Sequence, residues 1–503
     1  MNPKLNAIPS ALLESLCSIG YSLETALADI IDNSITAEAS SISVRFLWNN
    51  GKPWIAVCDD GLGMSPGELI EAMRFGSRSP NQKRGSDDLG RFGLGMKTAS
   101  ISLCRHMTVV SKKGRSISAC EWNLEAMTAS GAAEWGASPV SLDGLSKVDV
   151  LSTLVAARLA ESKSGTIVLW LRLHVSLGDP KENNGERRFS AQMGAARKHL
   201  ELVFHRFLAP AARQRKVTID FNDSPLEAFD PFGTSNPARQ ELPAERIQLQ
   251  GQVVSIQPYV LPHRSKASSV PEYEKLAGED GYLHNQGFYI YRNKRLIIKA
   301  TWFHLIPKDE LNKLIRIRVD LPNSLDDLWR IDVKKSQANP PESVRRELKR
   351  VIYKISAAGH NVFTTRAARM RNRKITPVWR REVVEGKVRY CVNEDHPLVK
   401  ALLKNLPKAR TETLRACFEL LNSTFPYDMY YADAASDRTE FATAAPNEET
   451  VRQVGRQLVQ ALHSCGFEGE ELRTQLEATE FFKCSPELIE EILRAKGNGD
   501  GRA

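Results

Sequence analysis

The sequence predicts an α+β protein of about three domains, and three observations carry that prediction. A chain of 503 residues with 42% hydrophobic and 26% charged residues has the profile of a globular protein with several cores, which excludes a disordered or fibrous one. The first third alternates helical spacing, strand-like runs and glycine clusters. The middle third is dominated by alternating strands and the last third by leucines at helical spacing. Met1–Ser10 lacks an apolar signal core and no apolar run is long enough to span a bilayer, so the expectation is a cytoplasmic protein without membrane contact. The eight cysteines never form a Cys-x-x-Cys pair, which supports neither a zinc finger nor a disulfide framework and leaves free thiols as the expected state.

Ser22 to Glu38 reads as a helix, with Leu23, Leu27, Ile30, Ile31 and Ile35 at helical spacing. Asp29 and Asn33 lie four apart on one face of it. A strand over 41–48, a turn at Asn49-Asn50-Gly51-Lys52 and a returning strand Pro53–Cys58 follow. That strand runs into Asp59-Asp60-Gly61-Leu62-Gly63-Met64. Paired glycines after a buried strand mark a turn where backbone passes close to something. A carboxylate fixed there can accept a hydrogen bond from an exocyclic amine such as adenine's; a tight loop that merely contains Asp and Gly is the competing reading.

The third cluster, Gly90-Arg-Phe-Gly93-Leu94-Gly95-Met96-Lys97-Thr98, opens a helix expected to run from Leu94 to Leu103. Successive backbone N–H groups at a helix start make an anion site, and Lys97 adds a point charge. The spacing matches neither the Walker phosphate loop nor the dinucleotide fingerprint. The polar, glycine-containing stretch 75–88 between the two glycine clusters reads as a lid. Gly165-Thr166 then opens a further strand.

In this order and spacing the four elements resemble the boxes of the GHKL ATPases: gyrase B, the 90-kDa heat-shock chaperone, histidine kinases and MutL. The phrase Arg-Phe-Gly-Leu-Gly-Met-Lys-Thr-Ala-Ser is similar to the phosphate box of the microrchidia (MORC) branch and its bacterial relatives. The resemblance implies a Bergerat-type ATP-binding α/β sandwich over residues 1–185, with ATP and Mg²⁺ as cofactors. It assigns Asn33 to Mg²⁺ and the triphosphate, and Asp59 to the adenine amine. Gly61, Gly63 and Met64 would line the base, with Thr166 closing the pocket. Gly90, Gly93, Leu94, Gly95, Met96, Lys97 and Thr98 would wrap the phosphates. Where hydrolysing relatives carry Glu as general base this chain has Asp29, one methylene shorter. A misplacement of about 1 Å can cost about 10²-fold in rate, so a slow ATPase and a barely hydrolysing ATP switch both stay open.

Residues 186–341 are expected to form an α+β transducer domain, with a helix near Phe189–Leu208, strands at 217–221 and 253–261, and a hairpin around Tyr291-Arg-Asn-Lys-Arg-Leu-Ile. The resemblance implies that this domain sends a lysine to the γ-phosphate; Lys335 is the first choice and Lys334 the second. Residues 342–385 read as a basic helical stalk. Twelve Lys and Arg face one acid, Glu347, between Arg345 and Arg381, and this segment holds more than the whole net charge of +9. Such a run is either a solvated arm or a contact surface for the DNA backbone. Residues 386–495 read as a mainly helical C-terminal domain and 496–503 as a tail. The combined expectation is an ATP-gated clamp that forms a homodimer on ATP binding and acts on DNA. By analogy with bacterial relatives, it would work in restriction or phage defence with a partner nuclease on another chain. The alternative is a non-hydrolysing scaffold or chaperone-like protein with no direct DNA role.

Overall fold

In the computed structural model the described residues are 20–325, 329, 340–355, 376–427 and 448–494, without 75–94, 130–136, 142, 145–147, 161, 175–176, 179–181, 183, 265–268, 385–386, 465, 478 and 480–485. They fall into two compact units, 1–359 and 360–503.

Leu23–Thr36 forms helix α1, and strands β1 (Ser41–Leu47) and β2 (Trp54–Asp59) follow as an antiparallel hairpin. Its turn holds Asn49, Asn50 and Gly51 at φ 48°, 53° and 82°, the left-handed conformations that these residue types tolerate. Helix α2 (Pro66–Met73) starts on a capping box between Ser65 and Glu68. Helix α3 (Gly95–Leu103) leads into the antiparallel pair β3 (Cys104–Lys113) and β4 (Ser116–Asn123). Strands β5 (Ser138–Val140) and β6 (Ser164–Leu173), helix α4 (Gly185–Val203), and strands β7 (Thr218–Phe221) and β8 (Ser224–Pro225) complete the layer. The sheet order is β5-β4-β3-β6-β2-β1-β7-β8, with β1 and β7 parallel.

Alternation along β2 explains why helices cover both faces of this sheet. Ile55 and Val57 join Leu27, Ile30 and Ile31 of α1 in one core; Ala56 and Cys58 join Leu151, Leu154 and Leu159 in another. Fully buried side chains of this size contribute about 1.5–3 kcal/mol each, so register is strongly fixed.

The boundary expected at 185/186 does not separate the two cores. Phe189, Met193, Ala196, Leu200 and Val203 form a stripe along α4 that is buried in the first core, and β7 extends the first sheet. The second sheet begins later, with β9 (Gln240–Glu241), β10 (Glu245–Leu249), β11 (Gln252–Val260), β12 (Gly287–Arg292), β13 (Arg295–Thr301) and β14 (Ile315–Leu321). Its order is β10-β11-β14-β12-β13, with β9 paired to β11. The expected hairpin is β12–β13, turning through Asn293 and Lys294 at φ 46° and 70°.

Residues 342–355 are helical (α5) and bury Val344, Leu348, Val351, Ile352 and Ile355 against the second sheet, so this part of the expected stalk is core rather than arm. Its far end, unlike its start, is not helical: β15 (Trp379–Val384) pairs with β16 (Lys387–Val392). Helices Pro397–Asn405, Lys408–Ser423, Glu448–Ser464, Gly469–Glu477 and Pro486–Arg494 follow, several of them around Leu458, Leu462, Leu472, Leu476, Ile489 and Ile492. Of the five cysteines described as free, Cys58, Cys104, Cys120 and Cys391 are buried and Cys417 is exposed. Among the described residues no helix is long and apolar enough to cross a membrane.

On α4, burial beside Arg295 and Lys299 pushes the His199 imidazole down to about 4. The unfolded chain therefore takes up a proton near pH 6.5 that the folded chain refuses until about pH 4, and stability falls as pH drops through that window. Urea midpoints measured from pH 7 to 4 should decline less steeply in His199→Gln than in the wild type.

Candidate functional site

Four segments of the first sheet converge on one region. Helix α1 supplies Asp29, 4% exposed, Asp32, 1% exposed, and the exposed Asn33. The following residue ties the helix to the sheet: Ser34 Oγ donates to Asp59 Oδ2 at 2.8 Å. Asp59 ends β2, and its other oxygen accepts the Gly61 N–H at 3.0 Å. Burial raises the Asp59 carboxyl above the usual range, while the donors from Ser34, Gly61 and the Thr166 backbone hold it back. The neighbouring Asp60 is structural. It accepts from the N–H groups of Ser40 and Ser41 at 2.7 and 2.8 Å and so pins the start of β1.

The glycines after Asp59 are needed for close approach. A Cβ on Gly61 would stand 2.7 Å from the Ala37 carbonyl, and one on Gly63, at φ +65°, would stand 1.9 Å from the Lys112 carbonyl. The loop thus lies on the end of α1 and on β3. Met64 N–H donates to Ser111 Oγ at 2.8 Å, and Ser111 shares a hydrogen bond with Thr166 Oγ1 at 3.0 Å. Thr166 faces Asp59 in the β2–β6 register, so a hydroxyl stands beside the carboxylate across the strand pair.

Helix α3 brings the phosphate-box residues against α1. A Cβ on Gly95 would stand 3.4 Å from Asp29 Oδ2. Met96 is half-buried and Thr98 is 3% exposed. Gly90, Gly93, Leu94, Lys334 and Lys335 lie outside the described residues, as does the stretch read as a lid.

Lys97 is placed differently from its assigned role. It is 1% exposed, and its ammonium donates to the carbonyls of Ala72, at 3.0 Å, and Arg74. Helix α2 ends there, and its last carbonyls have no intrahelical donors. Lys97 and Trp122, whose Nε1–H donates to the Met73 carbonyl at 3.1 Å, supply them. Burial pushes the Lys97 ammonium down to about 8.

Residues 21–166 match the family model described as histidine kinase-, DNA gyrase B-, and HSP90-like ATPase. Over this segment the chain is similar to the GHKL superfamily. The chain is similar to ATPase morc-1 of Caenorhabditis elegans, 34% identical over 95 residues, which is 19% of this chain and 11% of that protein. It is similar also to ATPase MORC2B of Mus musculus, 30% identical over 96 residues, covering 18% and 9% of the two chains. The chain therefore spans only about a tenth of these relatives' length.

In this segment the helix carrying Asp29 and Asn33, the Asp-x-Gly-x-Gly loop from Asp59 to Gly63, helix α3 and the strand that begins at Gly165-Thr166 lie against one another. A Mg²⁺ ion that takes most of its oxygens from phosphates and water would suit the donor set: Asn33 offers an exposed amide oxygen, and no group of three or more His, Cys, Asp or Glu side chains among the described residues could hold a metal ion by itself. Sequence reading missed Ser34, Ser111, Tyr21 and Arg295. Tyr21 Oη donates to Asp29 Oδ2 at 3.2 Å, and Arg295 of β13 reaches the acidic side of α1. Ser34 alone carried a signal, being adjacent to Asn33.

The placement of Lys97 makes a prediction that separates two roles. Lys97→Met should cost about 1–3 kcal/mol in nucleotide-free unfolding, because two carbonyls lose their donor. ATP affinity measured at a temperature where the variant is folded should change by less than about threefold.

Proposed function

We propose that this chain binds Mg-ATP in the GHKL domain and hydrolyses it slowly, as the nucleotide-gated part of a clamp. The observation that carries the reading is the half-buried Asp59 carboxylate, held between Ser34 and Gly61 beside Thr166, with the phosphate-box helix next to Asp29. Asp59 would accept the adenine amine, Gly61 and Gly63 would let the base lie on bare backbone, and the α3 N-terminus would face the phosphates. Mg²⁺ would neutralise phosphate charge, and Asn33 would be its ligand from the chain. Asp29 would polarise the attacking water.

Slow turnover has a structural rationale. Asp29 is shorter than Glu, and its carboxylate already accepts from Tyr21 and lies 3.9 Å from Arg295. The same two neighbours favour the second reading, an ATP switch that hydrolyses very little. Lys335, or Lys334, remains the proposed γ-phosphate contact, and ATP-dependent homodimerisation the proposed output.

DNA is the proposed substrate, with a nuclease on another chain as a further partner; the support is the basic run 345–381. Part of that run is already matched by acids. Arg345 pairs with Glu342, Arg350 with Glu347 and Glu245, Lys354 with Glu245, and Arg380 with Glu382 and Asp395. The DNA reading therefore rests on the other eight, Arg346, Lys349, Arg366, Arg369, Arg371, Arg373, Lys374 and Arg381, of which the five from Arg366 to Lys374 have no acid between them in the sequence. Replacing these five with Ala should flatten the dependence of DNA affinity on salt, by about 0.9 in log–log slope for each phosphate that is no longer neutralised, and leave ATP binding intact.

The deciding experiment follows ATP binding and phosphate release with Mg²⁺ present and absent. Asp59→Asn should weaken ATP binding by about 1.5–3 kcal/mol. Asp29→Asn should keep binding and lose about 10²-fold or more in turnover. Unchanged turnover in Asp29→Asn would remove it from the chemistry, and wild-type binding without phosphate release would establish the switch.

A further inference from the structure

Helix α1 belongs to the first sheet, yet the cation that answers its buried acids comes from the second. Arg295 opens β13 and is 4% exposed. Its Nε lies 2.9 Å from Oδ1 and 2.7 Å from Oδ2 of Asp32, and its guanidinium reaches to 3.9 Å from Asp29 Oδ1. One further N–H donates to the Leu296 carbonyl at 2.9 Å, and the guanidinium carbon stands 5.8 Å from the centre of the Phe204 ring. These contacts fix the arginine from its own strand and from the segment after α4. Both carboxylates are nearly inaccessible, so neither can exchange Arg295 for bulk water without moving α1 or β13.

We infer that Arg295 is a positioning residue through which the second sheet sets the geometry of Asp29. Asp32 is three residues along α1 from Asp29 and is the anchor; Asp29 faces the phosphate-box helix at Gly95 and is the working end. A displacement of β13 relative to the first sheet pulls on Asp32 and changes where the Asp29 carboxylate points. The same linkage runs in reverse: a nucleotide that fixes α1 also fixes β13. A short ammonium cannot hold this geometry, because it lacks the planar fork that spans two carboxylates. The inference rests on the proposed nucleotide site, with Asp29 next to the reacting water.

The test compares the whole wild-type chain with Arg295→Lys and with the neutral pair Arg295→Gln/Asp32→Asn. Three quantities are read: ATP affinity, phosphate release against ATP concentration, and backbone hydrogen exchange over 287–301 with and without a non-hydrolysable ATP analogue. Arg295→Lys is expected to bind ATP within about threefold of the wild type, to release phosphate at least about tenfold more slowly, and to lose the nucleotide-induced protection of 287–301. The neutral pair, which restores a hydrogen bond without charge, should recover part of both. Wild-type turnover and protection in Arg295→Lys overturn the inference. So does a loss of turnover that merely tracks lost ATP affinity and a lowered melting temperature, which marks a structural role only. If the wild type binds ATP and releases no phosphate, the catalytic reading of Asp29 fails by itself, and the exchange readout alone decides whether Arg295 couples the sheets. A wild type that does not bind ATP overturns the site and this inference together.

Discussion

Two carboxylates buried on one helix constrain the rest of this structure. Helix α1 must pack its apolar face against the first sheet, and that docking also takes Asp29 and Asp32 out of water. An isolated carboxylate in such a place is too costly to stay charged, so cations and donors must be brought to it. Tyr21 comes from just before the helix and Arg295 from the second sheet. The β12–β13 hairpin thus packs into apolar cores of its own and also brings a cation to the buried acids of α1. The helix that sets Asp29 against α3 is at the same time the helix that Arg295 of the second sheet reaches.

The boundary of what is legible in the sequence follows the distance between interacting residues. Helix α1, the β1–β2 hairpin, the strand ending in Asp59 and the β12–β13 hairpin are all readable, because each is written in spacing and turn chemistry over fewer than about twenty residues. Asp59 stands out from its place at a strand end before two glycines, and the structure supplies its partners. By contrast, Arg295 and Asp32 are 263 positions apart, and no local pattern joins them. The parallel pairing of β1 with β7 also joins distant segments, Ser41 to Thr218, which is why local patterns place the domain boundary too early. Lys97 shows a subtler failure. Its place after a glycine cluster identifies the box, but the open carbonyls at the end of α2 decide what the ammonium touches.

The same lesson applies to charge. Twelve basic residues in one segment look like a single surface when only neighbours in sequence are counted. Glu245 on β10 reaches Arg350 and Lys354 in the fold, and α5 is held to the second sheet by these pairs as well as by its apolar stripe. Exposed pairs of this kind add little stability, but they reduce the field that a phosphate backbone would feel. What distinguishes the site from this surface is that its charged groups are buried, few and mutually positioned.

The central claim is that α1, the loop after Asp59 and α3 form one nucleotide site. Hydrogen exchange of the intact chain, with and without a saturating non-hydrolysable ATP analogue and Mg²⁺, addresses it most directly. The account predicts that protection rises together in 29–37, 59–64 and 95–103, and that Asp59→Asn removes the rise in all three. Binding that protects other segments and leaves these three unchanged would contradict it.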